Sequence, residues 1–307
     1  MKPKNKLILP FFLNLFFTVF ELLGGIWTNS IALISDAIHD LGDSLSIGLS
    51  ILLHRKSLKD ADEAYTYGYH RFSLLGGLIS SIVLLIGSMI VIYEAIPRLI
   101  NPETVATQTL IWFSIAGVAV NLFAAIKARA GKSINERVIS LHLFEDAFGW
   151  IALLLGAILM NFFHIYRIDA ILSILFTLYI LWHVFENLDR IIRVFMEVAP
   201  KEPSVPLLKK HLESMDGVKE VHHIHLWTID GEHALCTLHV VLKKDVTKAD
   251  YVRIQQSLHE ELHEHGVLHA TLEFEYEDAL CTSEDCQETL QKMLELSHPS
   301  AHHHHHH

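Results

Sequence analysis

The sequence predicts an α-helical membrane protein in which a bundle of six transmembrane helices precedes a small cytosolic α+β domain. The chain is 51% hydrophobic over 307 residues, and its mean hydropathy is +0.32. Long apolar segments fill the first 200 residues, and hydropathy falls abruptly after the "EVAPKEP" stretch. Since composition of this kind is typical of membrane proteins, the fold class follows from the arrangement of these segments.

Six segments are long enough to cross a bilayer, which takes about 20 mostly apolar residues. They lie at about residues 7–27, 31–53, 74–95, 110–128, 138–162 and 168–187. The second and fifth are the least apolar because they contain ionisable side chains. The protein is therefore expected to be embedded in a lipid bilayer.

Basic residues predict the orientation of the spans, because they concentrate in cytoplasmic loops. Lys and Arg residues precede the first span, flank the loops after the second and fourth spans, and follow the sixth span. The opposite loops offer only Arg98 and Arg167. Both termini are therefore expected in the cytosol, and a bacterial cytoplasmic membrane fits the short loops.

The remaining chain is predicted to form a second domain with the element order αββαβ. Helical patterns at 206–215 and 247–265 enclose the alternating strands "KEVHHIHLWTI" and "HALCTLHVVL", and "VLHATLEFEY" follows. We expect a transmembrane domain at 1–200, a cytosolic α+β domain of ferredoxin-like or metallochaperone-like type at 201–290, a tail at 291–301 and a purification tag at 302–307. Residues 201–300 carry 9 basic against 19 acidic side chains, which argues against nucleic acid as a partner.

The second and fifth spans each contain a histidine and an aspartate four residues apart. His39 and Asp43 lie in "SDAIHDLGDSL", and His142 and Asp146 lie in "LHLFEDAFGW". The i, i+4 spacing puts each pair on one helix face. Charged side chains in a membrane are costly and mark functional sites, and two such helices would supply the N2O2 set that suits tetrahedral Zn²⁺. Asp36 either joins this face or caps the helix.

The quoted motifs, together with "NSIALISDAIHDLGDSLSIGLS", "YTYGYHRFSLLGGLISS" and "MEVAP", resemble the cation diffusion facilitator family, particularly its zinc-transporter branch. The resemblance covers nearly the whole chain. It implies a homodimeric exchanger that exports divalent cations from the cytosol in exchange for protons. It also implies that the protein is not an enzyme. It also implies that His39, Asp43, His142 and Asp146 form the transport site, with the histidine of the second span favouring zinc.

Two departures and one ion pair follow from the same resemblance. The loop after the fourth span has no histidine, and Tyr65 and Tyr69 stand where some bacterial members place extra metal-binding histidines. Arg71 and Glu197 match the family's charged residues at the start of the third span and after the sixth. We expect these two side chains to form an ion pair that links the two domains.

A second metal site is predicted in the cytosolic domain. By family position its ligands would be His222, His239 and Glu275, with Cys281 and Cys286 as additional thiolates. Strand alternation puts His223 and His225 on one face of the sheet and His222 on the other. Metal bound there would hold two subunits together.

The ligand types also predict how metal and protons would be coupled. Metal binds neutral imidazole and ionised carboxylate, so its binding displaces protons. Three alternatives remain. The same exchanger would serve Co²⁺, Mn²⁺, Fe²⁺, Ni²⁺ or Cd²⁺, a membrane-embedded zinc hydrolase would need an open coordination position and a general base, and a cation channel would hold its ion only weakly.

Overall fold

The computed structural model describes residues 8–129 and 134–276. Within the helices, the side chains of residues 8–10, 13, 50, 54, 55, 128, 129 and 134–142 are outside the described part. The chain divides into two compact units between Ile191 and Ile192. The predicted boundary near residue 200 stays a prediction.

The six predicted helices form the first unit, apart from the last four residues of the sixth. They are α1 (Ile8–Thr28), α2 (Ile31–Ser57), α3 (Phe72–Ile100), α4 (Thr107–Arg129), α5 (Ile134–Phe163) and α6 (Arg167–Phe195). Among the described residues, α3 to α6 are long and apolar enough to cross a membrane by composition alone, and α1 adds the shorter apolar segment Asn14–Thr28. Helix α2 has 27 residues, which is long enough to span, but its central ionisable residues lower its hydropathy.

Hydrogen bonds at one end of the bundle show that successive helices alternate in direction. The start of α2 is held by Asp169 of α6, whose carboxylate accepts from Ser30 Oγ at 2.5 Å and from the Ile31 N–H at 2.7 Å. At the same end the end of α1 meets the start of α4, since Ala106 N donates to Thr28 O at 2.9 Å. The start of α4 also meets the end of α5, where Thr107 Oγ1 donates to Asn161 Oδ1 at 2.9 Å. Helices α2 and α5 therefore run antiparallel.

The loop between α2 and α3 is organised by Asp62. Its carboxylate accepts from the Tyr69 hydroxyl at 2.6 Å and from the backbone N–H groups of Ala64 and Tyr65. These hydrogen bonds, led by the one from Tyr69, lower the pKa of Asp62 to about 2. Tyr69 is buried and its ring packs against that of Tyr65. These two tyrosines therefore help to build the loop at the positions where some family members have metal-binding histidines.

The second unit has the predicted αββαβ order. Its elements are α7 (Val205–Glu213), β1 (Val218–Thr228), β2 (Ala234–Leu242), α8 (Lys248–Glu264) and β3 (Val267–Tyr276). The sheet order is β1-β2-β3, with β1 antiparallel and β3 parallel to β2. A capping box between Thr247 and Asp250 begins α8.

The core of this unit lies between the two helices and one face of the sheet. Leu208 and Leu212 of α7 and Leu258 and Leu262 of α8 are at most 1% exposed and pack with the apolar strand residues. Apolar residues four apart put one stripe of each helix against the sheet. The other face of the sheet carries polar side chains such as His222 and His239 together with the buried apolar residues Leu235 and Val241.

Candidate metal sites

The ionisable residues of α2 divide between two directions. His39 and Asp43 line a cavity of about 170 Å³ that is bounded by α2, α3 and α6. Asp40 instead meets α1, where its carboxyl group hydrogen-bonds to that of the buried Glu21. Because one residue turns the helix by about 100°, neighbours such as His39 and Asp40 must face different helices.

The cavity presents polar atoms from all three helices. His39 Nε2 and Asp43 Oδ2 are 3.9 Å apart, and their side chains are 25% and 28% exposed. The other polar lining residues are Ser46, Ser80, Ser81, His183 and Asn187. Asn187 Nδ2 donates to Ser81 Oγ at 2.8 Å, which joins α6 to α3 beside the pair. An ion in this cavity would meet nitrogen and oxygen donors in place of lipid.

Helix α5 passes close to α2 at Asp36. A Cβ atom added to Gly149 of α5 would lie 3.9 Å from Asp36 Oδ1, which is ordinary van der Waals contact. Asp146 lies three residues before Gly149, and His39 lies three residues after Asp36. Since the helices are antiparallel and rise 1.5 Å per residue, Asp146 and His39 lie at about the same depth in the bundle.

Asp36 lies on the part of α2 that approaches α5. Its carboxyl group interacts electrostatically with His39 on its own helix and with Asp146 on α5. Among the described residues, those that line the cavity beside His39 and Asp43 come from α2, α3 and α6, so the joint site with Asp146 stays a prediction. The side chain of His142 is outside the described part, although its backbone lies in α5, seven residues before Gly149 and so near the depth of Asp43.

The cavity also contains residues that the sequence analysis did not single out. His183 and Asn187 of α6 are four residues apart and both line it. The available signal was the helical spacing of these two polar residues near the end of the predicted sixth span. On α5, Glu145 accepts a short hydrogen bond from the Tyr179 hydroxyl of α6, which ties these two helices together.

In the second unit, His222 and His239 face each other across β1 and β2, and the carboxylate of Glu275 lies between them. His239 Nδ1 is 2.6 Å from Glu275 Oε1, and His222 Nε2 is 3.6 Å from Glu275 Oε2. Glu275 is only 7% exposed. Glu273 approaches the other nitrogen of His239 at 3.4 Å. The predicted residues that are described thus form one cluster, whereas Cys281 and Cys286 lie outside the described residues.

The predicted alternation of the β1 histidines is wrong, because His222 and His225 pair with His239 and Thr237 on one face of β2. The register of β1 against β2 shifts between His222 and His225, and His223 has a φ of +48°. This bulge turns His223 toward His222 and His239, with ring centroids 5.1 and 4.9 Å apart. His223 therefore joins the cluster as a third imidazole, and one of its ring nitrogens lies within 4.8 Å of one ring nitrogen of each of the other two.

Helix α8 carries a further pattern that the sequence analysis missed. His259 and Glu260 begin an H-E-x-x-H sequence that ends at His263. Both imidazoles are exposed, and His259 Nδ1 is 2.8 Å from the carbonyl oxygen of Gln255. In zinc hydrolases the two histidines of this motif bind the catalytic zinc and the glutamate is the general base, whereas here the motif faces outward from the domain core.

The ion pair predicted between Arg71 and Glu197 stays a prediction. Arg71 precedes α3 in the first unit, and Glu197 follows α6 in the second. Glu197 has a φ of +56°, so the backbone turns sharply where α6 ends.

Two family descriptions match the chain, one for each unit. Residues 7–195 match the cation efflux transmembrane domain, and residues 200–276 match the cytoplasmic domain of cation efflux proteins. The "Cadmium, cobalt and zinc/H(+)-K(+) antiporter" of Bacillus subtilis is 31% identical over 278 residues, which cover 89% of each chain. "Zinc transporter ZitB" of Yersinia pestis is 31% identical over 287 residues, covering 92% of this chain and 90% of that protein. "Metal cation efflux system protein CzcD" of Cupriavidus metallidurans is 27% identical over 263 residues, covering 84% and 82%.

Proposed function

The chain belongs to the cation efflux family, and from this premise we propose that it exports Zn²⁺ from the cytosol in exchange for protons. The observation that carries the proposal is the His39–Asp43 pair, which points into a polar cavity within a helical membrane domain. Asp146, at the depth of His39 on α5, supplies a third ligand, and His142 completes the set.

The donor set and its spacing suit zinc. A tetrahedral site with bonds of about 2.0–2.1 Å has ligand atoms roughly 3.4 Å apart. The observed separation of 3.9 Å between His39 Nε2 and Asp43 Oδ2 needs only a small closure to reach this value. Relatives named for zinc, cadmium and cobalt support the same group of metals.

Proton exchange follows from competition for the same ligands. An ordinary imidazole titrates near pH 6.5, and metal requires its neutral form. When the site faces the more acidic side it takes up protons, and when it faces the cytosol it loses them to the incoming ion. One site with alternating access thereby couples opposed flows of metal and protons.

The cytosolic domain is proposed to hold a second, structural metal site and to form a homodimer. His222, His239 and Glu275 supply two nitrogens and a carboxylate, and Cys281 and Cys286 supply thiolates from the following segment. A bound ion there would stabilise the association of two copies. The ion pair between Arg71 and Glu197 would then link this domain to the membrane bundle.

The proposed setting is a bacterial cytoplasmic membrane with both termini in the cytosol. The basic loops and the bacterial relatives support it. In this orientation the end of α6 leads directly into the cytosolic domain.

The experiment is metal flux into proteoliposomes, measured with and without a pH gradient. We expect His39→Ala and Asp146→Ala to abolish zinc transport, and His39→Asp to broaden the metals carried. His164→Asn is the matched control, because it removes an exposed imidazole of the same domain at a residue whose φ of +57° asparagine tolerates. A normal rate for His39→Ala would refute the transport site.

The same measurement separates the alternatives. An exchanger responds to the pH gradient and saturates with rising zinc, whereas a channel does not saturate in this way. Flux of Co²⁺, Mn²⁺, Fe²⁺, Ni²⁺ or Cd²⁺ in preference to Zn²⁺ would reassign the substrate within the same mechanism. A membrane-embedded zinc hydrolase would show activity in hydrolytic assays, and failure of those assays would dispose of that alternative.

A further inference from the structure

A second group of side chains that can bind metal lies on the helices of the cytosolic domain. It shares no residue with the cluster of His222, His223, His239 and Glu275 on the sheet. His211 comes from the last turn of α7, Glu261 from α8, and His265 from the residue that caps the end of α8. We call these three residues the α7–α8 cluster. Two of them are 54 residues apart in the chain, so only the packing of the two helices brings them together.

Both imidazoles aim a nitrogen at the same carboxylate oxygen. His211 Nδ1 lies 3.1 Å and His265 Nδ1 lies 3.7 Å from Glu261 Oε1. One ligand atom from each residue lies within 4.8 Å of the others. The two distances to the carboxylate bracket the separation of roughly 3.4 Å that tetrahedral zinc ligands require.

The protein core positions the three ligands. Leu208 and Leu212 flank His211 on α7 and are buried, as are Leu258 and Leu262 on either side of Glu261. Gly266 follows His265 with a φ of +81°, a conformation that suits glycine and ends the helix there. The ligand backbones are thus set by buried contacts and a helix cap.

An ion could enter this cluster and keep water as a further ligand. The three side chains are 42%, 29% and 20% exposed, for His211, Glu261 and His265 in that order. A carboxylate needs only one imidazole to make a hydrogen bond, but here two imidazoles converge on it with rings 4.7 Å apart. The surplus of acidic side chains in residues 201–300 also favours cations at this surface.

We propose that His211, Glu261 and His265 form a further metal site, which binds a borderline divalent cation such as Zn²⁺ and completes its coordination with water. Two imidazoles and one carboxylate are a donor set that zinc commonly takes in proteins. The bound ion would tie α7, which begins the domain, to the end of α8. Zinc in the cytosol would thereby stiffen the domain without entering the transport path.

The test counts bound Zn²⁺ in the full chain purified without the histidines of 302–307, which would bind metal themselves. Zinc titration with metal analysis after dialysis gives the number of ions and their affinity. We expect His211→Ala and His265→Ala each to lose one bound ion per chain or to bind it more weakly. The loss of affinity should exceed the roughly 10–100-fold that follows when a residue hydrogen-bonded to a metal ligand is mutated. His259→Ala is the control, since it removes an exposed imidazole of the same helix.

Glu261→Gln guards against a folding artefact, because the amide keeps the shape of the side chain and one acceptor oxygen. Loss of the same ion in Glu261→Gln and in the two histidine variants, with His259→Ala unchanged, supports the site. An unaltered zinc count and affinity in Glu261→Gln and His265→Ala would overturn it. Since the readout is binding, the result does not depend on the transport proposal.

Discussion

Gly117 of α4 lies against the indole ring of Trp150 on α5, so Gly117→Ala should disturb both stability and transport. A Cβ atom at Gly117 would lie 2.1 Å from Trp150 Cδ2 and 2.3 Å from Cε3. Carbon atoms prefer separations of about 3.5–4.0 Å, so the ring or its helix would have to move by more than about 1 Å. Trp150 is only 1% exposed and packs with Ala32 and Leu33 of α2, which leaves little room for such a shift.

The expected loss of stability in Gly117→Ala is that of overpacking a buried region, which is typically about 1–3 kcal/mol. For a domain of 150–250 residues, each kcal/mol lowers Tm by roughly 2–4 °C. Asp146 lies one turn before Trp150, so a shift of α5 by about 1 Å would exceed the ±0.2 Å tolerance of metal–ligand distances several-fold. We therefore expect the zinc flux to fall together with Tm.

The assay is thermal unfolding in detergent, followed by zinc flux in proteoliposomes. Gly149→Ala is the matched control on α5, because its added Cβ would meet its nearest neighbour at 3.9 Å. Both changes raise helix propensity by a similar amount, so the difference between them isolates the contact with Trp150. Equal Tm values and equal fluxes for the two variants would refute this packing of α4 against α5.

Two further predictions concern single buried groups. Asp169→Ala should destabilise the membrane domain by about 1–3 kcal/mol for each buried donor left unpaired at Ser30 and Ile31. Asp169→Asn should destabilise it less, because one acceptor oxygen remains. Equal melting temperatures for both variants and the parent protein would contradict this prediction. Burial raises the pKa of the Cys236 thiol to about 12, so at pH 7.5 it is protonated and shielded. With Cys281 and Cys286 replaced by Ser, the folded protein should resist maleimide and label fully in denaturant; rapid labelling without denaturant would show that the core of the cytosolic domain is open.

The sequence alone was enough for the fold class and for the candidate ligands of the membrane site. Each membrane span is apolar because it must lie in the hydrocarbon core of the bilayer, so it can be found from composition alone. His39 and Asp43 share a face because of the geometry of their own helix, which does not depend on distant contacts. The αββαβ order followed for the same reason, because alternation and helical periodicity are local properties of the chain.

Tertiary structure decided which neighbours those residues meet. Periodicity states which residues share a face of α2, but only the packing of six helices directs His39 toward α3 and α6 and Asp40 toward Glu21 of α1. The bulge at His223 depends on its pairing with β2, so alternation within β1 could not predict it. The approach of His211 to Glu261 joins two helices that are separated by two strands, and no local pattern encodes a distance between them. Spacing along the chain thus determines the faces of individual elements, whereas burial of their apolar sides determines how those faces meet.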